Sequence, residues 1–227
     1  MKIMGLNKLT LLDYPNKMAA AIFLGGCNFD CGFCHNSSLI NPLNDSGIIS
    51  KKEVLEFLDK RKNVLEGVCI TGGEPLLFDI EPFILDIKKI KDYKIKIDTN
   101  GTSPDKLQHL LEKNIASYVA MDIKNSFSKY TKTIGVRVDL QLIKKSIDLI
   151  KTNAPDYEFR TTLIKEYHTH NDFLEMLKMI EGAKRYALQT YIESDEVRQK
   201  GLSSFSENEM KEFSNIAKDF VEEVLIR

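Results

Sequence analysis

The 227-residue chain lacks a long apolar segment, and it lacks an excess of charge of either sign. Its longest apolar run, Met18 to Leu24, is far shorter than the roughly 20 residues that cross a bilayer. The 32 basic and 33 acidic residues are mixed along the chain, so no basic face is offered to nucleic acid. The opening run MKIMGLNKLTLLDYP has no apolar core followed by a small-residue cleavage site. These absences predict a cytoplasmic protein that binds neither nucleic acid nor membrane.

Cysteine is also scarce, but three of the four cysteines form the pattern C-x3-C-x2-C in the run GCNFDCGFCHN. They are Cys27, Cys31 and Cys34. In the reducing cytosol, thiols at this density indicate metal or redox chemistry rather than disulfides. A hydrophobic content of 43% predicts one compact domain, residues 1–227, that needs no covalent staples. Cys69 stands alone in an apolar run and is expected to be a small buried hydrophobe.

Six short β-rich segments each precede a longer helical pattern, and no long linker separates them. This alternation predicts a parallel sheet with helical crossovers. The nucleotide-binding loops GxGxxG and GxxxxGK of doubly wound sheets are absent, so a barrel or an incomplete barrel is favoured. The predicted strands are Ala19–Leu24, Val68–Thr71, Lys94–Asp98, Tyr118–Ile123, Glu158–Leu163 and Ala187–Ile192.

Three helix starts carry recognisable capping signals. Ser50 with Glu53, and Ser206 with Glu209, match the capping box, in which the two side chains satisfy each other's backbone N–H groups. The dipeptide Ser103-Pro104 predicts an N-cap followed by proline at the first helical position.

Polar or glycine residues accompany the ends of five successive predicted strands. They are Gly25-Gly26-Cys27, Thr71 to Pro75, Asp98 to Gly101, Asp122 to Lys124, and Arg160 within the fifth strand. Because the carboxyl ends of barrel strands meet on one face, we expect one shared site there. Taken alone, Asn100-Gly101 is a turn signal, and Lys124 and Arg160 are compatible with surface cations whose stems cover apolar surface.

Three thiols fit an iron–sulfur cluster better than they fit zinc. A [4Fe–4S] cube held by three thiolates keeps its fourth iron free for a non-protein ligand, and an open metal position is typical of catalysis. A structural zinc site needs four ligands, whereas His35 lies next to Cys34 and is poorly placed to close the same tetrahedron. Zinc and unligated thiols remain as alternatives. The other histidines, His109, His168 and His170, are predicted on helix or loop surfaces without a metal role.

The cysteine motif, with Phe33 before its last cysteine and TGGEPLL after the next strand, resembles the radical S-adenosylmethionine enzymes. The runs GCNFDCGFCHN, TGGEPLL, DTNG and MDIK are similar to those of glycyl-radical activating enzymes. The run KLTLLDYPNKMAAAIFLGGCNFDC most resembles the activators of anaerobic ribonucleoside-triphosphate reductase. The similarity extends from about Leu9 to Arg160.

The resemblance implies an α/β fold, a partial (β/α)6 TIM-type barrel with parallel strands, forming a single radical SAM domain over residues 1–227. It implies one [4Fe–4S] cluster and S-adenosylmethionine, whose amino and carboxylate groups chelate the open iron. Reductive cleavage would then yield a 5′-deoxyadenosyl radical that takes a hydrogen atom from a glycine of the partner enzyme. The implied electron donor is flavodoxin or ferredoxin.

The resemblance also assigns residues to the cluster and to the cofactor. Cys27, Cys31 and Cys34 are implied as cluster ligands, and Phe33 as a neighbour of the adenine. Gly72, Gly73 and Glu74 are implied to hold the methionyl amino group through strand-edge carbonyls, the glycines admitting close backbone approach.

A second implied group surrounds the methionyl carboxylate. Asp98, Thr99 and Asp122 match positions that bind a monovalent cation in the pyruvate formate-lyase activator, with Ala120 contributing only its carbonyl. Lys124 and Arg160 match cationic contacts to the carboxylate.

One position departs from the formate-lyase activator, which has a histidine late in the barrel where YALQTYIESD offers Gln189 or Tyr191. This difference argues against formate lyase as the partner.

Three alternatives stay open: an activator of another glycyl-radical enzyme, a radical enzyme acting on a small molecule as in modified-nucleobase synthesis, and a non-enzymatic metal-binding regulatory module. The segment Asn125 to Arg137, NSFSKYTKTIGVR, is interpreted as a polar loop that is either solvated or contacts a partner's backbone above the barrel mouth.

Overall fold

The computed structural model describes residues 1–42 and 47–227. Within them, one sheet contains eight strands in the order of the sequence, β1 to β8. β1 pairs with β2 in antiparallel orientation, and β2 to β8 are parallel. The strands are β1 (Lys2–Thr10), β2 (Ala19–Gly25), β3 (Gly67–Gly72), β4 (Lys94–Thr99), β5 (Tyr118–Asp122), β6 (Tyr157–Leu163), β7 (Arg185–Thr190) and β8 (Glu223–Ile226).

The predicted partial barrel with parallel strands is confirmed, because β2 to β7 correspond to the six predicted strands. The sequence analysis missed β1 and β8, which lie at the two edges of the sheet. Strands with a half-exposed face have a weaker apolar pattern than strands buried on both faces. The run KIMGLNKLT of β1 alternates buried and exposed residues irregularly, because its register with β2 shifts twice.

Seven α-helices are described, and most of them cross between neighbouring strands. They are α1 (Lys51–Lys60), α2 (Glu81–Ile90), α3 (Pro104–Glu112), α4 (Tyr130–Ile134), α5 (Leu140–Asn153), α6 (His170–Met179) and α7 (Glu207–Ala217). Within residues 1–42 and 47–227, no helix is long and apolar enough to span a bilayer.

The predicted helix starts are confirmed at Ser50 and Ser206, where both halves of the capping box form. Ser103 is the N-cap of α3 as predicted, although its side chain makes no capping hydrogen bond. A third capping box, Thr169 with Asp172 at the start of α6, was missed because the familiar signature has glutamate or glutamine at its last position.

Alternate residues of each strand face different parts of the core. Ala20, Ile22 and Leu24 of β2 belong to the large apolar cluster between sheet and helices. Ala19 instead joins Tyr14, Tyr118 and Ala120 in a small separate cluster, with the two tyrosine rings 5.8 Å apart. Ala19 and Tyr118 are the first residues of β2 and β5, so this small cluster lies toward the amino-terminal ends of the strands.

Two expectations about the surface are wrong. The segment after β5 is not a purely solvated loop, since it contains α4 and its first residues are buried: Asn125 donates to Thr133 Oγ1 and to the Tyr167 carbonyl, both at 2.9 Å. His168 is 2% exposed rather than on the surface. Its Nδ1 accepts from the Ile164 N–H, its Nε2–H donates to the Lys124 carbonyl, and burial lowers the pKa of the ring.

Candidate active site

A cavity of about 390 Å³ opens at the carboxyl ends of the strands. It brings together residues that the sequence places in five separate strand-end segments, as the shared-site prediction requires. Of the twelve predicted site residues, eleven line it: Cys27, Cys31, Phe33, Cys34, Gly72, Gly73, Asp98, Thr99, Asp122, Lys124 and Arg160. Glu74 is the exception.

The two predicted glycines hold the cysteine segment against β3. A Cβ on Gly72, whose φ is +116°, would lie 2.3 Å from the Leu24 nitrogen, and one on Gly73 would lie 2.1 Å from the Gly26 oxygen. Real side chains essentially never come so close. Two backbone hydrogen bonds of 2.8 Å, from Gly73 N–H to Leu24 and from Glu74 N–H to Gly26, tie the segments together. Only glycine allows this approach, which sets the position of Cys27.

The side chain of Glu74 points away from the cavity and is fully buried. Its carboxylate accepts from the Leu76 N–H at 3.0 Å, from Thr99 Oγ1 at 2.9 Å and from the Asn100 N–H at 2.6 Å. Burial raises the pKa of Glu74 to about 7, although the three donors act to lower it. The role of this side chain is therefore to join the turn after β3 to the turn after β4, and only its backbone remains for the implied cofactor contact.

The turn after β4 is also joined to the cysteine segment. Asn100 Nδ2 donates to Asn28 Oδ1 at 2.8 Å, and Asn28 Nδ2 donates to Thr102 Oγ1 at 2.9 Å. Gly101 has a φ of +84°, as the Asn-Gly turn signal predicts. The DTNG run thus serves both as a turn and as part of the cavity wall.

A row of ion pairs, called the charge ladder below, runs along the cavity wall from β4 to β6. Arg160 donates from Nε to Asp122 Oδ1 at 2.8 Å and from Nη1 to Asp98 Oδ2 at 3.1 Å, and Lys124 donates to Asp122 Oδ2 at 3.0 Å. Burial alone would raise the pKa of Asp122, but Arg160 and Lys124 hold it well below its usual range. Arg160 and Lys124 are therefore not surface cations that happen to lie near the site.

Lys124 also links this ladder to an aromatic wall. Its Nζ lies 6.0 Å from the centre of the Phe33 ring, a cation–π distance, and the Phe33 ring lies 5.4 Å from that of Tyr167. Phe33 is 5% exposed, so it offers the cavity a fixed apolar edge between two cysteines.

Comparison with known proteins identifies this architecture. The model of the radical SAM superfamily matches residues 21–180 of the chain. The chain belongs to the radical SAM superfamily. The predicted membership is confirmed, and with it the expectation that the protein is an enzyme rather than a regulatory module.

Relatives of this radical SAM enzyme differ in how much of the chain they share. A protein of Methanocaldococcus jannaschii, named as a candidate glycyl-radical enzyme activating enzyme, is 34% identical over 99% of this chain and 95% of its own length. Among solved structures, QueE from Escherichia coli matches with a TM-score of 0.59 at 16% identity, covering 100% of this chain and 93% of that one. SuiB of Streptococcus suis, bound to the precursor peptide SuiA, matches with a TM-score of 0.65 at 17% identity, over 91% of this chain. This chain spans about half of SuiB, 48% of it. At these identities the two structures show the shared fold alone.

The superfamily implies a [4Fe–4S] cluster and S-adenosylmethionine, and the cysteines of this radical SAM enzyme fit the cluster. All three are free thiols that line one cavity. In the described ranges no three His, Cys, Asp or Glu side chains converge as ligands of a single metal ion would. A cube needs no such convergence, because each thiolate bonds a different iron.

The electrostatics of the thiols agree with this assignment. Burial raises the pKa of Cys27 to about 11 and that of Cys31 to about 12, despite the nearby Lys124. Thiolates at these positions need more positive charge than the protein provides, and iron supplies it. Cys69, by contrast, is fully buried in β3 as predicted.

The structure distinguishes the two candidates on the last predicted strand. Gln189 lines the cavity, and its Oε1 lies 3.4 Å from Thr162 Oγ1. Tyr191 follows the end of β7, is buried, and stacks on His35 at 5.8 Å without lining the cavity. Ala120 also lies outside the lining, within the small inner cluster.

Sequence reasoning missed several residues of the site. Lys96 binds Asp98, as does Thr71 of the predicted strand-end segment. A signal for Lys96 was available, since it lies two positions before Asp98 on β4, so that both side chains face the barrel interior. Glu158 likewise precedes Arg160 by two residues and is buried against Arg227, which lines the cavity from beyond β8. Asp13, in the loop after β1, also lines the cavity and had no signal of its own.

Proposed function

We propose that this radical SAM enzyme activates a glycyl-radical enzyme, and that its partner is an anaerobic ribonucleoside-triphosphate reductase. The observation that carries the first part is the 34% identity to the M. jannaschii protein, because it extends over 99% of this chain and 95% of that protein. Fragmentary similarity would not support a shared substrate class, whereas similarity over the whole length does. The resemblance of the run KLTLLDYPNKMAAAIFLGGCNFDC to reductase activators supports the second part.

The residues that line the cavity support this proposal. Cys27, Cys31 and Cys34 would hold the cluster, with Lys124 and Arg160 available to the carboxylate of S-adenosylmethionine. A cluster and S-adenosylmethionine held by these residues would supply the radical chemistry that removes a hydrogen atom from the substrate. No thiols remain for a second cluster, since Cys69 is buried in β3.

The surface beside the cysteine segment suits a macromolecular substrate. An open cleft of about 840 Å³ adjoins the cavity and shares Cys27, Phe29 and Ile40 with it. Arg198 and Asp30 line this cleft and form an ion pair with each other. A loop of a partner protein lying in this cleft would bring a backbone glycine toward the cysteines, because glycine has no side chain to block the approach.

The same proposal places the enzyme in the cytoplasm and takes flavodoxin or ferredoxin as its electron donor. The balanced, dispersed charge supports a protein partner over nucleic acid. Reductase activation is favoured over formate-lyase activation by Gln189, which lines the cavity on the strand where a histidine is expected for the latter.

The test is an anaerobic reconstitution. The iron–sulfur enzyme is reduced and incubated with S-adenosylmethionine and a co-expressed anaerobic ribonucleotide reductase, and 5′-deoxyadenosine and the glycyl-radical EPR doublet are measured together. We expect both signals, and neither with the Cys31→Ala variant. 5′-Deoxyadenosine without the doublet would refute the reductase as partner and direct attention to another glycyl-radical enzyme or a small molecule. Absence of both from an enzyme with a full cluster would refute the activity itself.

A further inference from the structure

The residues that resemble a monovalent-cation site are already occupied by donors from the protein. Thr99 Oγ1 donates to Glu74 Oε1 at 2.9 Å and accepts from the Gly101 N–H at 3.1 Å, so its hydroxyl is committed away from the cavity. Asp122 accepts from Arg160 and Lys124. The Thr99 hydroxyl is therefore fully used, and each carboxylate oxygen of Asp122 already accepts one charged donor.

Asp98 is the most fully occupied of the three. Its Oδ2 accepts from Thr71 Oγ1 at 3.0 Å and from Arg160 Nη1 at 3.1 Å. Its Oδ1 accepts from Lys96 Nζ and lies 3.7 Å from the thiol of Cys69. A carboxylate has about four lone-pair positions, and four donors surround this one. A metal cation could bind Asp98 only by displacing one of them.

Of the donors to Asp98, Lys96 is the one whose charge is confined to a single buried ammonium group. Its side chain is 1% exposed, and its ammonium lies between Asp98, the Cys69 sulfur at 3.7 Å and the face of the Tyr118 ring at 6.0 Å. Burial works against the charged form, but Asp98 keeps the pKa of Lys96 above its usual range. The ammonium of Lys96 therefore lies between an anion on one side and a π face on the other.

Three fixed cations already surround the two aspartates of the ladder. Lys96, Lys124 and Arg160 carry three positive charges, and Asp98 and Asp122 carry two negative ones. The excess of one positive charge suits a single carboxylate ligand such as that of S-adenosylmethionine. A monovalent metal ion among three fixed cations would instead be repelled.

We infer that the ammonium of Lys96 takes the place of a metal ion beside Asp98, so that this enzyme binds S-adenosylmethionine without a monovalent metal cation. Lys96 is on this reading a positioning residue, since it acts through Asp98 and Arg160 and lies outside the cavity lining. The inference rests on the cofactor of the superfamily and not on the identity of the partner enzyme.

The test measures the affinity of the reconstituted enzyme for S-adenosylmethionine by anaerobic calorimetry in potassium, sodium or tetramethylammonium chloride of equal ionic strength. Equal ionic strength removes general screening, so that only specific cation binding distinguishes the buffers. For the wild-type enzyme we expect dissociation constants that agree within about twofold, well under the 1.4 kcal/mol of a tenfold change. A tenfold weaker affinity in tetramethylammonium would overturn the inference without any variant being made.

The Lys96→Met variant tests whether the Lys96 ammonium is the reason why cofactor binding does not depend on the metal cation. Methionine keeps much of the length and loses the charge, so Asp98 regains a free oxygen, and we expect about tenfold tighter binding in potassium than in tetramethylammonium. Lys94→Met, on the same strand but 52% exposed, is the matched control and should stay insensitive. A folded Lys96→Met enzyme without cation dependence would refute the role of Lys96. No binding by the wild type in any salt would overturn the cofactor assignment on which the inference depends, whereas a failure of reductase activation would leave it intact.

Discussion

The substitution Gly73→Ala tests whether the cysteine segment is held by close backbone packing. Gly73 follows β3 and faces Gly26, the residue before Cys27. A Cβ built on Gly73 lies 2.1 Å from the Gly26 oxygen and 2.6 Å from the Gly26 carbon. The first distance is about 1.3 Å short of the 3.4 Å at which ordinary contact begins. The cysteine segment therefore has to move by about 1 Å for alanine to fit.

The free-energy cost follows from two terms. Forcing an extra carbon into a packed region costs about 1–3 kcal/mol. The displacement also breaks the hydrogen bond from the Glu74 N–H to the Gly26 carbonyl, which contributes about 1 kcal/mol. For a domain of this size each kcal/mol corresponds to about 2–4 °C, so we expect the melting temperature to fall by roughly 4–16 °C.

The assay compares Gly73→Ala with wild type by anaerobic thermal melting of the reconstituted enzyme and by iron content per chain. A shift of Cys27 by about 1 Å should also lower the iron retained after desalting, since metal–thiolate distances tolerate only about 0.2 Å. The matched control is Gly5→Ala on β1, where a new Cβ would meet its nearest neighbour, Phe23, at an ordinary 3.4 Å. This control should keep both the melting temperature and the iron content of wild type.

The outcome that would refute the reasoning is a Gly73→Ala enzyme that melts with the control and retains full iron. Such a result would mean that β3 and the cysteine segment are not in backbone contact, and that the glycine pair has another purpose. Lower iron with an unchanged melting temperature would refute the energetic part alone.

Three further predictions concern single side chains of the site. Cys31→Ala should abolish 5′-deoxyadenosine formation and lower the bound iron while the chain remains folded, as judged by circular dichroism. Glu74 titrates near pH 7 when folded, against a reference of 4.5, so between these values the folded chain binds more protons than the unfolded one. The free energy of unfolding should therefore fall by about 3 kcal/mol as the pH rises across this window, and Glu74→Gln should flatten that fall in urea denaturation of the cluster-free chain. Arg160→Met removes one charged donor from Asp98 and one from Asp122, each of which keeps a lysine, so it should cost about 1–3 kcal/mol and weaken S-adenosylmethionine binding.

Each of these predictions has its own control. Cys69→Ala, outside the motif, should keep iron and activity, and equal iron loss in both cysteine variants would contradict the ligand assignment. The same change of the unfolding free energy between pH 4.5 and 7 in wild type and in Glu74→Gln would show that Glu74 is ionised throughout. Arg61→Met, on an exposed side chain, should leave stability unchanged, and an equal effect of both arginine variants would remove the special role of the ladder.

The strands that the sequence predicts well are those buried on both faces. The run AAAIFLG of β2 and the first four residues of β5, YVAM, are continuously apolar because helices cover one side and the barrel interior the other. β8 has only four residues, two of them exposed, and gives no comparable pattern. The capping boxes at Ser50 and Ser206 were readable for a different reason, since all their partners lie within three residues.

The side chains that sequence reasoning misplaced are polar groups that became buried. His168 is surrounded by two backbone groups from separate segments, at Ile164 and Lys124, and no local pattern announces that environment. Lys96 reads as a charged residue in a strand, which is ordinarily exposed. Its partner, Asp98, lies on the same inner face, and the alternation of the strand was the available indication.

The sequence by itself determined the chemistry of this protein. The spacing of Cys27, Cys31 and Cys34, the glycine pair after β3 and the alternation of strands with helices are local features, so they are legible along the chain. The tertiary structure alone decided which charges meet. Arg160 reaches Asp98 across 62 residues because parallel pairing aligns β4 with β5 and β5 with β6. The register of those strands sets the height of each side chain in the barrel, and it depends on packing that no short stretch of sequence contains.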